Sequence, residues 1–163
     1  MNADELRALQ APLKQKYKDD PASALVTLRA VGHAAGLTCT IGTGKAIVEA
    51  GMHPAAGGDG SRIGSGDMLL EALVACVGVT LRAVATAIGV ELRGATVTAE
   101  GDIDFRGTLG VARDAPVGFR DIRLHFALDT DAPDDQRATL IRLTERYSVV
   151  LQTLRQPPPV SVV

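Results

Sequence analysis

The 163-residue chain has no tryptophan, three phenylalanines and two tyrosines. Its core must therefore be built from Val, Leu, Ala and Ile rather than from large rings. It also lacks an excess of either charge: 17 Lys and Arg stand against 19 Asp and Glu, a net charge of −2. That balance leaves no basic footprint for a phosphate backbone and argues against nucleic acid as a partner. Cysteine is scarce, and Cys39 and Cys76 make no disulfide framework. A reducing, cytoplasmic compartment is the default, and the charged stretch Met1–Tyr17 has no apolar segment of the kind a secretory signal needs. The three histidines, His33, His53 and His125, fall into no metal-ligand spacing. Neither a GxGxxG after a strand nor a GxxxxGK[ST] occurs, so no metal and no cofactor is expected.

What is present is organised around Gly57–Val90. A glycine-rich loop with Gly57, Gly58, Gly60, Gly64 and Gly66 leads into a helical run whose only charges, from Asp67 to Ile88, are Asp67, Glu71 and Arg82. A helix apolar on nearly every side is expected to be buried on nearly every side. The uncharged stretch Ala72–Leu81 is shorter than the roughly 20 residues a bilayer span needs, so a core helix is expected and no membrane. Ser65 is a candidate N-cap, Asp67 complements the helix dipole, and Gly89 stands where a helix-ending glycine belongs. Gly78, costly in a helix interior, suggests either another backbone close by or simple tolerance. Cys76 sits mid-helix.

On either side the pattern alternates. Met1–Asp20 reads as two short helical turns or a bent helix around Pro12, with Asn2 as N-cap. Ala24–Val31, Gly36–Ile41 and Lys45–Ala50 read as strands, turned at Gly42–Gly44. Val97, Ala99, Gly101, Ile103 and Phe105 share one face of a later strand, and Ile122, Leu124, Phe126 and Leu128 share one face of another. Gly107–Gly118 is a long connection between them. Asp131–Arg155 reads as a second helix with a stripe of Leu140, Leu143, Tyr147, Val150 and Leu154. The prolines at 157–159 end it, and Val160–Val163 has the makings of a final strand. A single α+β domain over residues 1–163 is expected, with 1–22 as a helical extension and both helices on one face of an antiparallel sheet.

The segment GGDGSRIGSGDMLLEALVAC followed by VGVTLRAVA resembles the central helix of the OsmC/Ohr family, the osmotically inducible and organic hydroperoxide resistance proteins. The segment LTERYSVVLQTL resembles the family's second cysteine motif, with Ser148 in the cysteine's place. The resemblance covers most of Leu25–Val163. It implies an intertwined homodimer with a long buried central helix and two sites between subunits. It also implies organic hydroperoxide reduction, in which one thiolate takes the peroxide oxygen and a second cysteine forms a disulfide with it. Cys76 then holds the position of the reactive thiol and Ser148 that of the resolving one. Asp67 falls near the family's acidic position, with Glu71 a poorer match, and the hairpin arginine has no convincing counterpart. Arg29, Arg62 and Lys45 are the candidate cations.

An alcohol cannot close the disulfide. Three functions follow: a one-cysteine peroxidase served by an external thiol reductant, a non-catalytic binder of an apolar small molecule, or a two-cysteine peroxidase whose second cysteine has been changed to Ser148. Cys39, alternating with Leu37 and Ile41, reads as a core residue and only distantly as a resolver for Cys76.

Overall fold

Asn2 and Glu5 hold the start of the first helix to each other. The Asn2 side chain accepts the Glu5 N–H and the Glu5 carboxylate accepts the Asn2 N–H, both at 2.9 Å, a reciprocal capping box. The computed structural model, which describes residues 2–19, 31–35, 38–42, 47–110 and 112–162, makes α1 (Ala3–Asp19) one helix rather than two short turns. Pro12 removes one hydrogen bond from it. The cap and side-chain pairs at Arg7–Asp4 and Gln15–Asp19, both 2.8 Å, work in the other direction.

The chain divides into two compact units. The unit formed by Leu28–Ala72 and Ala99–Leu124 contains a four-stranded sheet in the order β1 (Val31–Ala35), β2 (Thr38–Gly42), β3 (Ile47–Gly51) and β4 (Ile63–Gly64). The first three strands pair antiparallel, with Cys39 opposite Ala34 on one side and Ala50 on the other. The short β4 joins parallel to β3, an exception to the all-antiparallel sheet expected. His33 lies in β1 opposite Thr40. The expected strand at Ala24–Val31, except Val31, lies outside the described residues, as do Gly36, Leu37 and residues 43–46.

β5 (Gly94–Ile103) and β6 (Phe119–Asp129) form a separate two-stranded sheet. The alternation read from the sequence holds on both, with Val97, Ala99, Gly101 and Ile103 on the more covered face of β5, whereas Phe105, expected on the same face, lies beyond the strand's end. The long connection after β5 is partly structured: Asp104 caps a single turn, α3 (Phe105–Thr108), by accepting the Arg106 N–H at 3.1 Å. The Arg106 guanidinium beside Asp104 holds that carboxyl down to about 2.

α2 (Ser65–Ile88) begins one residue earlier than a Ser65 cap would require. The cap comes instead from Asp67, which reaches back to the Gly64 N–H at 3.2 Å. At the other end Gly89 has φ +73. Its N–H bonds to Thr86 O and that of Val90 to Ala85 O, the paired bonds of a Schellman motif. The charge at Arg82 has a use: its guanidinium bonds to the Leu92 carbonyl, and at 3.4 Å to that of Arg93, fastening the segment that leaves the helix.

The second unit, Met1–Thr27 with Leu73–Thr98 and His125–Val163, is built on α2. Leu81, Val84 and Ala85 of the helix pack with Val90, Leu92 and Leu140, flanked by Val97, Phe126 and Leu128 of the strands. Only one face of α2 is buried, carrying Leu73, Val77, Leu81, Val84 and Ala85. The expectation of burial on nearly every side fails within this chain. Val79 is 74% exposed, and a Cβ placed on Gly78 would meet nothing within 4 Å. At 24 residues, with a mean hydropathy of 1.9 over its most apolar window, α2 is long and apolar enough to cross a membrane by length and composition alone. The shorter uncharged core had suggested otherwise.

The predicted second helix is two helices. α4 (Asp134–Tyr147) ends at Ser148, which has an extended ψ of 111, and α5 (Val149–Arg155) starts again immediately after it. The stripe shifts accordingly. Leu140, Thr144, Ser148 and Leu151 are buried, while Tyr147 is 58% exposed. Val160–Val162 is exposed and forms no strand.

At Gly89 an added Cβ must be carried at positive φ. Gly89→Ala is expected to lower stability by about 1–2 kcal/mol, read as a shift in urea midpoint. Leu140→Ala, which empties a fully buried position, should cost more, about 2–5 kcal/mol.

Candidate functional site

Ser148 is fully buried, and a buried hydroxyl needs a partner. Its backbone is already satisfied: its N–H bonds to Thr144 O at 3.0 Å, and its carbonyl accepts the Gln152 N–H at 2.9 Å. A serine that starts a helix ordinarily turns its hydroxyl to the free N–H groups of the first turn. Ser148 makes no such cap. Its Oγ donates instead to Cys76 Sγ, 3.3 Å away and 72 residues back in the chain.

The sulfur sits partly exposed on α2. Burial pushes its pKa up, the largest single effect. Against it act the Ser148 hydroxyl, then the N–H groups of Val150 and Val149, and last Thr80, and the balance lies below the ordinary thiol value. The Thr80 hydroxyl itself bonds the Cys76 carbonyl at 2.8 Å, which accounts for its small share. Among the described residues, every group in that balance is uncharged. The first N–H groups of a helix have no intrahelical acceptor, and those of Val149 and Val150, at the start of α5, act to lower the Cys76 pKa. Hydrogen bonding to the charged form of an acid favours that form, and a thiolate is the nucleophilic species.

The sequence model of the OsmC-like proteins matches residues 58–163, which include the glycine loop, all of α2 and the helix break. The chain belongs to the OsmC-like family. The fold agrees. An OsmC-like protein of Mycoplasma pneumoniae superposes with a TM-score of 0.70 at 16% identity, over 81% of this chain and 89% of that one. An organic hydroperoxide resistance protein OsmC of Legionella pneumophila gives 0.63 at 19% identity, over 81% and 91%. One from Elizabethkingia anophelis gives 0.65 at 17%, over 82% and 91%. At such identities these likenesses establish the fold. No curated protein matches the chain.

Of the residues expected to form an OsmC-like site, the structure brings Cys76 and Ser148 together. Asp67 lies in the other unit, where its carboxylate caps α2 and borders a cavity of about 650 Å³ lined also by His53, Leu70, Phe105 and Phe119. The Phe119 ring lies where a Cβ on Gly101 would be, so that glycine is what lets the ring in. His53 accepts the Ala55 N–H on Nδ1 at 3.0 Å and stacks on Phe105 at 4.8 Å. Arg62 is held by Glu49 at 2.7 Å. Arg29, Lys45 and the Cys39 side chain lie outside the described residues. Among the described residues no group of three His, Cys, Asp or Glu could hold a metal.

Sequence reasoning looked for a cation and missed Val149 and Val150. The readable signal was a serine, a helix-starting residue, set inside a segment that otherwise reads as one helix.

Val149 tests this account, because proline is well tolerated at the first position of a helix while lacking an N–H. Ser148 before it is already extended, as a residue preceding proline must be. Val149→Pro should leave helix content unchanged and raise the Cys76 pKa. Alkylation near neutral pH then slows, as a pH profile of iodoacetamide labelling would report.

Proposed function

We propose that this OsmC-like protein reduces organic hydroperoxides through Cys76 in a one-cysteine cycle. The observation that carries the reading is a partly exposed sulfur hydrogen-bonded to Ser148, the residue that the resemblance puts in the second cysteine's place. The Cys76 thiolate attacks the distal peroxide oxygen. The O–O bond breaks, the sulfur becomes a sulfenic acid, and the alkoxide leaves and takes a proton as the alcohol. An external thiol condenses with the sulfenic acid, releasing water and leaving a mixed disulfide. A second thiol then displaces Cys76 and restores it. Without that reductant the sulfur goes on to irreversible higher oxides.

The working form in this reading is a cytoplasmic homodimer, in which a second copy covers the open face of α2 around Val79. Asp67 has a part in it as the acidic member of the site, contributed across the subunit boundary. Val79→Asp should convert the dimer to monomer in light-scattering chromatography at micromolar concentration. A wild-type chain that runs as a monomer would remove the subunit-shared site.

Turnover is the direct test. Cumene hydroperoxide should be consumed in the presence of dithiothreitol by the wild type and not by Cys76→Ala. Intact mass after one equivalent of peroxide and no thiol should show one added oxygen. Ser148→Cys should instead lose two hydrogens, because a sulfur in place of an oxygen 3.3 Å from Sγ needs only a small approach to bond. Absence of turnover under these conditions would remove the enzymatic reading.

A second reading is a binding protein for an apolar small molecule, favoured by the cavity walled by Leu70, Phe105 and Phe119. A ligand retained through purification, with Cys76 alkylated only after unfolding, would select it.

A further inference from the structure

Ser148 has a choice of hydrogen-bond partners, and the choice it makes is informative. Its hydroxyl stands at the start of α5 without capping it. A serine left over from a lost function has nothing to keep it from the ordinary local cap, the arrangement serines adopt at helix starts. Here the hydroxyl reaches across to the sulfur of another helix. It is locked there: the residue is fully buried, and its own N–H and C=O are engaged by Thr144 and Gln152, so the backbone on either side is fixed.

Resting on the one-cysteine reading above, we propose that Ser148 is a positioning residue whose hydroxyl holds the Cys76 sulfur first as thiolate and then as sulfenate. On this view the cycle is built for a single sulfur and a small external thiol, and is not a two-cysteine cycle with a part missing. The chemistry of the hydroxyl suits both states. It donates to the sulfur while the sulfur is anionic, and it rotates to donate to the oxygen once the peroxide has delivered one. An alcohol forms no bond that closes the site against a reductant, so the sulfenic acid stays open to attack. The balance is then CysS–OH plus RSH giving CysS–SR and water, followed by a second RSH giving CysSH and RSSR. The downward pull of the hydroxyl on the thiol, second only to the upward pull of burial, agrees with this role.

The test reads the sulfur without requiring turnover. Iodoacetamide labelling of the Cys76 peptide, resolved by mass, gives a pH profile for the wild type, Ser148→Ala and Ser148→Thr. The wild-type midpoint should lie below that of an unperturbed thiol labelled alongside. Ser148→Ala should raise it by about one unit, which is about tenfold less thiolate at any pH below both midpoints. Ser148→Thr, which keeps the hydroxyl, should return it toward the wild type. After one equivalent of cumene hydroperoxide, dimedone should trap the sulfenic acid in the wild type and Thr variant and several-fold less in the Ala variant.

Superimposable wild-type and Ser148→Ala profiles would overturn the proposal, as would a wild-type midpoint at or above the ordinary value. Should Ser148→Ala lose its circular-dichroism signature of folding, the wild-type midpoint and the Thr variant decide. A shifted midpoint with no peroxide turnover would uphold Ser148 and remove the peroxidase reading, and turnover with no shift would do the reverse.

Discussion

One hydrogen bond, from Ser148 Oγ to Cys76 Sγ, sets the terms for the rest of the helical unit. It joins residues 72 positions apart, and it falls at the residue where the chain stops being helical. A continuous helix through that point would tie the N–H groups of Val149 and Val150 to the preceding turn and leave none for the sulfur. The break is expensive on its own, since it gives up intrahelical bonds in a buried place. What offsets it is the packing on either side. Leu140 on α4 is buried against Leu81 and Val84 of α2, and Leu151 on α5 is buried in turn. Each such side chain contributes on the order of 1.5–3 kcal/mol. Position and polarity are thus set by different residues: leucines place the break, and serine and two amides use it.

Among the described residues, the electrostatics at the sulfur are those of dipoles rather than charges. Burial alone would leave the thiol protonated and inert at neutral pH. A guanidinium beside it would reverse that decisively, but would also bring a strongly hydrated ion into an apolar setting, where burying a charge is costly unless it is paired. The Ser148 hydroxyl pulls the thiol the same way with less penalty, because it is a buried group the fold must satisfy anyway. The described arginines are used differently. Arg93 and Arg123 sit in surface ion-pair clusters with Asp129, Asp131, Asp102 and Asp121, and Arg82 fastens backbone carbonyls.

The sequence was legible wherever a repeating pattern outlived its context. The alternation on β5 and β6, the long apolar α2, the capping Asn2 and the terminating Gly89 each follow from residue type and spacing. So did the pairing of Cys76 with Ser148, through the resemblance of two separated motifs. What escaped was single-residue geometry. A stripe of apolar residues at helical spacing cannot announce that the helix stops for one residue in the middle, since α4 and α5 together keep the spacing. Asp67 and Ser65 exchanged roles because a cap depends on where the first turn begins, and one residue decides it. The burial of Thr144 was invisible for a similar reason, as its hydroxyl is satisfied within its own helix by the Leu140 carbonyl at 2.8 Å.

The open side of the helical unit bears on the chemistry as much as the closed side does. Val79, Tyr147 and Val149 are among the most exposed large apolar side chains in the structure. They lie one turn from Cys76 on α2 and immediately beside Ser148 at the break. The elements that hold the sulfur therefore also present the apolar surface most in need of cover. Anything that covers that surface would form the outer wall of the sulfur's surroundings. An apolar wall would deepen the burial that already pushes the thiol up, so the hydroxyl and amides would matter more in the covered state than in the bare chain. The Ser148 hydroxyl then works against the cover that would keep the sulfur protonated.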